Sequence, residues 1–372
     1  MVGPIRTQEE RPHNRRGHHK FGIEIPKTLR RALEIDKENG NTFWQDAIEK
    51  EMQNVRIAFK VIDGETKIPP NSQFMEFHMI FDVKMESNFR RKARLVAGGH
   101  KVACNNVPTY ASVVSREMVR IALTMAALHD LPVKTSNIQN AYLSAPCEEI
   151  IHTILGPEFG PDEGKYAIIT RALYGFKSAG SSFNRHLADC MRNMGYTPCK
   201  ADLDLWMKPS VRPDDGFKYY SYILFYVDNC LAIDHDAKTR LLKVGKFFQM
   251  KPGSIADPDI YLGAKLKKVT LDNQVTAWSF SSSKYVQEAV KNVENYIKEK
   301  MDGRSLPNKK GQWPTEYAPK LDDSDELDGE SSNYYQSLVR ILHWMVELGR
   351  VDIITEVSKL ASQMAGPREG HC

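Results

Sequence analysis

Tyr222-Ile223-Leu224-Phe225-Tyr226-Val227-Asp228-Asn229-Cys230-Leu231-Ala232-Ile233 is the stretch whose reading decides the fold. Two apolar runs, rich in aromatic and β-branched residues, flank a short polar pair. That is the pattern of two strands closed by a tight turn. The spacing predicts a β-hairpin with Asp228-Asn229 as its two-residue turn. A carboxylate displayed at the tip of a rigid hairpin is well placed to hold a metal ion.

Working upstream, Pro26-Lys27 opens a helix over 28–38 that Gly40 ends. Asn41 or Thr42 caps a second one over 43–55, with Trp44, Ala47, Ile48, Met52 and Val55 on one face. Residues 74–85 and 93–97 read as strands about a turn at Glu86-Ser87-Asn88. A helix over 115–129 carries the stripe Met118, Ile121, Ala122, Met125 and Ala126. A strand over 133–138 runs into Asn140-Ala141-Tyr142-Leu143, and a helix over 183–194 stops at Gly195. Downstream come an amphipathic stretch over 237–248, a strand over 260–269 and a helix over 284–300. A polar loop over 303–330 leads to two helices over 334–364, split near Gly349. Helices and strands interleave without a regular βαβ beat, and no internal repeat occurs. The fold class is therefore α+β rather than a doubly wound sheet.

The 372 residues suffice for two or three packed subdomains. Hydrophobic content of 41% and charged content of 26% are those of an ordinary globular protein. No apolar run approaches the roughly 18 residues of a membrane span, and no signal-peptide pattern opens the chain. The expectation is an intracellular protein, cytoplasmic or nuclear, that is not secreted. The opening 1–26 is a basic, polar arm expected to be disordered. Six cysteines are scattered without a C-x-x-C pair or a histidine at zinc spacing, which points to reduced thiols. His18-His19, His100 and His371 have no ligand partners at telling spacing. A net charge of +4 permits a nucleic-acid partner without demanding one.

Several segments, taken in order, resemble one family, the reverse transcriptases of copia-type retrotransposons. Phe43-Trp44-Gln45-Asp46-Ala47 with Glu51 is similar to its opening helix, and Lys92-Ala93-Arg94-Leu95-Val96-Ala97-Gly98-Gly99 to its basic fingers strand. Asn137-Ile138-Gln139-Asn140-Ala141-Tyr142-Leu143 stands where the family has Asp-Val-x-x-Ala-Phe/Tyr-Leu. Ala172-Leu173-Tyr174-Gly175-Phe176-Lys177 resembles the Leu-Tyr-Gly-Leu-Lys loop, and Tyr226-Val227-Asp228 the Tyr-x-Asp-Asp hairpin. Tyr261-Leu262-Gly263, Tyr334-Tyr335-Gln336-Ser337-Leu338 and Val351-Asp352-Ile353 resemble the later part of the domain. Each motif is short; their order and spacing together are specific.

The resemblance implies a right-hand polymerase with a mainly antiparallel palm sheet. Residues 27–265 would form fingers and palm, and 266–372 thumb and connection, cut before an RNase H domain. It implies RNA-directed DNA synthesis from dNTPs on a primer–template, with two Mg²⁺ or Mn²⁺ ions. Virus-like particles would be one location, and the oligomeric state stays open. The catalytic positions carried over are Asn137, Asp228 and Asn229, of which only Asp228 is still an acid where the family has aspartates. The nucleotide-binding positions are Lys92, Arg94, Tyr142, Gly175, Lys177 and Tyr226.

Each of these residues also has a plainer reading. Lys92 and Arg94 share one strand face, which suits a triphosphate or simply water. Tyr142 would crowd the ribose 2′ position, or fill a core. Gly175 allows close backbone approach or serves a turn, and Lys177 touches phosphate or is merely exposed. Asp130, Asp234 and Asp236 are the spare acids nearest in sequence, and none is expected to rescue the metal site. Arg340 stands where the family usually has Gly, on a helix expected to pack closely. Three functions follow: a degenerate domain with little catalysis, a residually active polymerase, or a non-enzymatic fossil fragment.

Overall fold

Local rules account for the first helices. Thr28 is extended and its hydroxyl accepts the Arg31 N–H, so the helix α1 (Leu29–Asn39) begins there; Gly40 ends it in a left-handed conformation. The helix α2 (Phe43–Val55) starts differently. Thr42 makes no side-chain cap, and the buried Asp36 carboxylate accepts the N–H groups of Trp44 and Gln45 instead. Asn41 Oδ1 also accepts the Phe43 N–H at 3.2 Å, so the cap is shared between Asn41 and the preceding helix, and it ties the two helices together.

The computed structural model describes residues 19–20, 23–62, 68–84, 89–99, 107–300 and 322–371. Most of the expected arm, the turn at 86–88, His18, His100 and residues 303–321 of the polar loop lie outside them. Short strands β1 (His19–Lys20) and β2 (Ile23–Glu24) precede α1. After α2 come β3 (Phe59–Val61), β4 (Gln73–Phe74), β5 (Phe77–Val83) and β6 (Arg91–Ala97). Next are α3 (Arg116–Leu128), β7 (Val133–Asn137), β8 (Ile151–Ile154), β9 (Tyr166–Ile169) and α4 (Ala179–Asn193). Strands β10 (Thr197–Pro198), β11 (Leu205–Val211), β12 (Lys218–Tyr226) and β13 (Asn229–Ile233) lead to α5 (Ala237–Val244). Strands β14 (Ile260–Tyr261), β15 (Ala264–Thr270) and β16 (Thr276–Ser281) precede α6 (Ser283–Lys300), α7 (Gly329–Glu347) and α8 (Ile354–Ala361). The mixture is α+β, and no helix of the described residues is long and apolar enough to cross a membrane.

The chain divides into two compact units, one of residues 1–111 with 140–189, the other of 112–139 with 190–372. The first holds the sheet β3-β9-β8-β4, in which β4 and β8 run parallel, and the ribbon β5-β6. Helix α2 lies along β6, and its buried Trp44 meets Phe81 of β5 edge-on at 5.5 Å. The second unit is built on the antiparallel sheet β10-β11-β12-β13-β7, with a smaller sheet β14-β15-β16. Leu224, Leu231, Ile233 and Val133 on one face of the larger sheet pack with Val119, Leu123 and Ala126 of α3 and with Tyr261 and Leu266.

Four expectations are corrected. The stripe of α3 is rotated: Val119, Ala122, Leu123 and Ala126 are buried, while Ile121 is half exposed, because the sheet selects one face of a helix that is apolar on more than one. The strand expected from residue 74 begins at Phe77, since Phe74 belongs to the parallel pair with β8. Helix α4 begins at Ala179, one turn before residue 183. The stretch 260–269 is a hairpin: Leu262 and Gly263 both take positive φ, as a tight two-residue turn requires. Arg340 is exposed on α7, so its guanidinium lies in water rather than in the packing of that helix.

Candidate functional site

Sheet register in the second unit decides what the hairpin displays. Tyr226 pairs with Asn229 across β12 and β13, so the two-residue turn is Val227-Asp228 and Asn229 is a strand residue. This corrects the expected Asp228-Asn229 turn. The physical reason is the core: this register sets Leu224 opposite Leu231, and a one-residue slip would turn every apolar side chain of β13 to the other face. The turn carries an unusual backbone, because Val227 has φ of 56°, a left-handed conformation that a β-branched residue resists.

Asn229 is in turn the register partner of Asn137 on β7. Tyr226, Asn229 and Asn137 therefore stand abreast across three strands, one row beyond Leu224, Leu231 and Thr135. Directly paired residues put their side chains on the same face, about 5 Å apart. All three are half-buried, as is Asp228 at the tip. The Asp228 carbonyl accepts the Ile138 N–H at 2.7 Å, and the Asn229 carboxamide donates to the Asp228 carboxylate at 3.2 Å.

The segment 249–256 fixes the outer side of β7. Lys251 N–H donates to the Asn137 carbonyl at 2.8 Å, Gln139 N–H donates to Gln249, and Thr135 and Ala256 exchange hydrogen bonds. The Ser254 hydroxyl lies 2.9 Å from Ser136 Oγ and accepts the Asn137 N–H at 3.2 Å. The Asn137 backbone is thus held from both sides, by β13 and by this segment.

The spare acids have other work. Asp234 is fully buried, accepts from Arg240 Nε at 3.0 Å and sits at the far end of β13 from the tip. Asp236 caps α5 through the Thr239 N–H, and hydrogen bonds from the Thr239 hydroxyl and N–H hold its carboxyl below the usual range. Asp130 pairs with Lys268 at 2.9 Å, which likewise lowers its pKa. Asp204, which the sequence did not single out, is buried, and burial pushes its carboxyl upward. Among the described residues, no group of three or more His, Cys, Asp or Glu side chains could hold a metal ion.

The remaining candidate residues, apart from Tyr226, belong to the first unit. On β6, Ala93, Leu95 and Ala97 face inward and Lys92 and Arg94 outward. Burial, helped by the neighbouring cations Arg94, Lys84 and Arg90, lowers the Lys92 pKa. The Glu51 carboxylate of α2 accepts the Leu95 N–H at 3.1 Å, and burial raises its pKa.

The loop Leu173-Tyr174-Gly175 is fastened to the end of that strand. Ala97 N–H donates to the Tyr174 carbonyl at 2.8 Å. Gly175 has φ of 96°, and a Cβ there would collide with the Ala97 carbonyl; a Cβ on Gly99 would collide with the Gly175 carbonyl. Gly175 therefore serves a backbone-to-backbone approach within the protein. Tyr142, on a short 3₁₀ turn, has its ring 5.1 Å from that of Tyr174 and 6.2 Å from Phe183. The Arg94 guanidinium lies 4.5 Å from the Tyr174 ring centre. Lys177 is exposed just before α4. The structure thus gathers Arg94, Tyr142 and Gly175 around Tyr174, which sequence reasoning quoted within a motif but gave no role. Nothing in the chain announces a pairing between residues 80 positions apart.

Comparison with known proteins agrees with these features. The family model described as reverse transcriptase (RNA-dependent DNA polymerase) matches residues 61–298, more than half of the chain. The chain is similar to the retrovirus-related Pol polyproteins from transposons RE2 and RE1 of Arabidopsis thaliana. Each is 23% identical over 356 residues, covering 93% of this chain and 22% of the relative. It is also similar to the Pol polyprotein from transposon TNT 1-94 of Nicotiana tabacum, 23% identical over 285 residues, covering 73% of this chain and 20% of the relative. The chain spans about a fifth of the length of these curated relatives. With the hairpin, the basic strand and the Leu-Tyr-Gly loop in the matched order, the chain belongs to the reverse transcriptase family of copia-type transposons.

Proposed function

We propose that this chain is a copia-type reverse-transcriptase domain that retains the polymerase scaffold and its nucleotide-binding residues but has little or no catalysis. The observation that carries the reading is the row Tyr226, Asn229 and Asn137 beside Asp228. Nucleotidyl transfer in this family needs two divalent cations, which lower the charge barrier for the attacking and leaving oxygens. Such ions prefer hard anionic oxygens. The donor set offers one carboxylate and two neutral carboxamides, and one carboxamide N–H is already directed at the carboxylate. Two of the three formal charges that would offset the cations are missing, so the residues present do not fit a two-metal centre.

The architecture proposed is that of a right hand, with 27–265 as fingers and palm and 266–372 as thumb and connection. Lys92, Arg94, Tyr142 and Lys177 would meet the nucleotide, and the basic chain would bind a primer–template duplex mainly through phosphates.

The test is primer extension on an RNA template with Mg²⁺ or Mn²⁺, beside an Asp228→Ala control. Equal, background-level extension by parent and control supports the reading. Extension by the parent clearly above the control overturns it in favour of a residually active polymerase. Salt-dependent duplex binding together with a cooperative melt separates the reading from a fossil fragment that neither folds nor binds.

A further inference from the structure

We infer that Tyr174 is a positioning residue that holds the Arg94 guanidinium on its ring and, through its other contact, sets Tyr142, so that phosphate-facing and sugar-facing residues move as one. The inference rests on the nucleotide-binding reading above for its purpose, and on geometry alone for its mechanism.

Three observations within the first unit carry it. The ring of Tyr174 is shared: the guanidinium of Arg94 lies 4.5 Å from its centre, and the Tyr142 ring lies 5.1 Å away at 60°. The backbone of Tyr174 is not free to drift, because its carbonyl takes the Ala97 N–H from the strand that bears Arg94. Gly175 and Gly99 then permit an approach so close that neither position has room for a Cβ. The ring is thus referenced to β6 by covalent chain and hydrogen bond, and both neighbours are referenced to the ring.

An arginine on a strand has four rotatable bonds, and its reach would otherwise be spread over many rotamers. A guanidinium laid on an aromatic face keeps its N–H edge available for a planar or tetrahedral anion, while its face is taken by the ring. Burial lowers the neighbouring Lys92 pKa, consistent with a site where a cation is partly stripped of water. The chemical class served is an oligophosphate bearing a sugar.

Three variants of the full chain test the inference, with the Arg94 Nε–H resonance followed by nuclear magnetic resonance and assigned by its loss in Arg94→Gln. In the parent and in Tyr174→Phe the resonance is expected to be shifted by the ring; in Tyr174→Leu it should move to the position of an unstacked arginine. Inorganic tripolyphosphate is the binding probe, and Tyr174→Leu is expected to weaken it by roughly 3- to 30-fold, with Tyr174→Phe near the parent. The preference for a dNTP over the matching rNTP should narrow in Tyr174→Leu as Tyr142 loses its neighbour. An Arg94 resonance that is unshifted in the parent, or unmoved in Tyr174→Leu, overturns the inference whether or not tripolyphosphate binds. A resonance that behaves as expected supports the positioning role. If Arg94→Gln then binds tripolyphosphate like the parent, it is the nucleotide-binding reading that fails.

Discussion

The hairpin tip of the second unit and the Leu-Tyr-Gly loop of the first have kept different things. Around the tip the backbone is tied down, by the Ile138-to-Asp228 bond and, at Asn137, by the segment 249–256, while Asn137 and Asn229 bear carboxamides beside the Asp228 carboxylate. At the loop both backbone and side chains are engaged: the glycines allow close approach, and Arg94 and Tyr142 pack against Tyr174. Side-chain charge and backbone geometry are therefore separable here. An Asp-to-Asn change preserves shape and even adds a hydrogen bond between neighbours, so nothing in the fold resists it. A change at Gly175 would be opposed by the fold itself.

The sharpest way to use this contrast is to restore the charge. The double reversion Asn137→Asp, Asn229→Asp is expected to raise primer extension with Mg²⁺ at least about 10²-fold over the parent, given what a single well-placed electrostatic group contributes. Asn137→Asp alone should recover more than Asn229→Asp alone. In the absence of divalent cations the double reversion should cost about 1 kcal/mol of stability, since three carboxylates then crowd one tip. Added Mg²⁺ should restore the melt. Extension still at background, with an intact melt, would mean that the scaffold has also been lost as a catalyst.

The opposite manipulation breaks geometry and spares charge. Gly175→Ala forces a side chain into a left-handed conformation against the Ala97 carbonyl, and is expected to cost about 2–4 kcal/mol. Urea denaturation would measure it. A loss below about 0.5 kcal/mol would show that the loop can shift away from β6 freely, and the comparison between the two regions would fall.

The same contrast explains what was legible in the sequence. Apolar periodicity with caps gave α1 and α2, and alternation around Asp228 gave the hairpin, because these signals are local. Glu51 and the Lys-x-Arg pair were visible as motifs. The strands β8, β9, β11 and β16 were not, since their own patterns are short or broken, by exposed apolar residues such as Ile154 and Tyr166 and by Pro209 within β11. The turn was misplaced by one residue because Asp-Asn is the better turn pair by composition, while core register favoured Val227-Asp228. Of the site, the identities of Asn137 and Asn229 were legible, but their pairing in one row was not. Tyr174 could not be assigned at all without the distance to Arg94.

Val227 offers a smaller test at the tip. Its φ of 56° costs a β-branched residue about 1–2 kcal/mol, part of which glycine would recover after its own entropy loss. Val227→Gly is expected to raise stability by about 0.5–1 kcal/mol in urea denaturation. A destabilised variant would mean that the Val227 side chain contributes packing that outweighs the strain.

The smallest effect belongs to the other region and is set by pH. Glu51 is an acid whose pKa is raised on folding, chiefly by burial and against the Leu95 N–H that favours its charged form. A raised acid pKa means that the fold prefers the protonated carboxyl. Its contribution is complete below the unfolded value of about 4.5 and is lost as pH rises through the folded value. Glu51→Gln keeps an oxygen that accepts from Leu95 and removes the buried charge. The variant should melt slightly higher than the parent at pH 7, and the gap should close as pH is lowered toward 4. A variant that melts lower at pH 7 would show instead that attraction between Glu51 and the cations Arg94 and Lys92 outweighs burial. The basic strand would then depend on its carboxylate to balance its own cations.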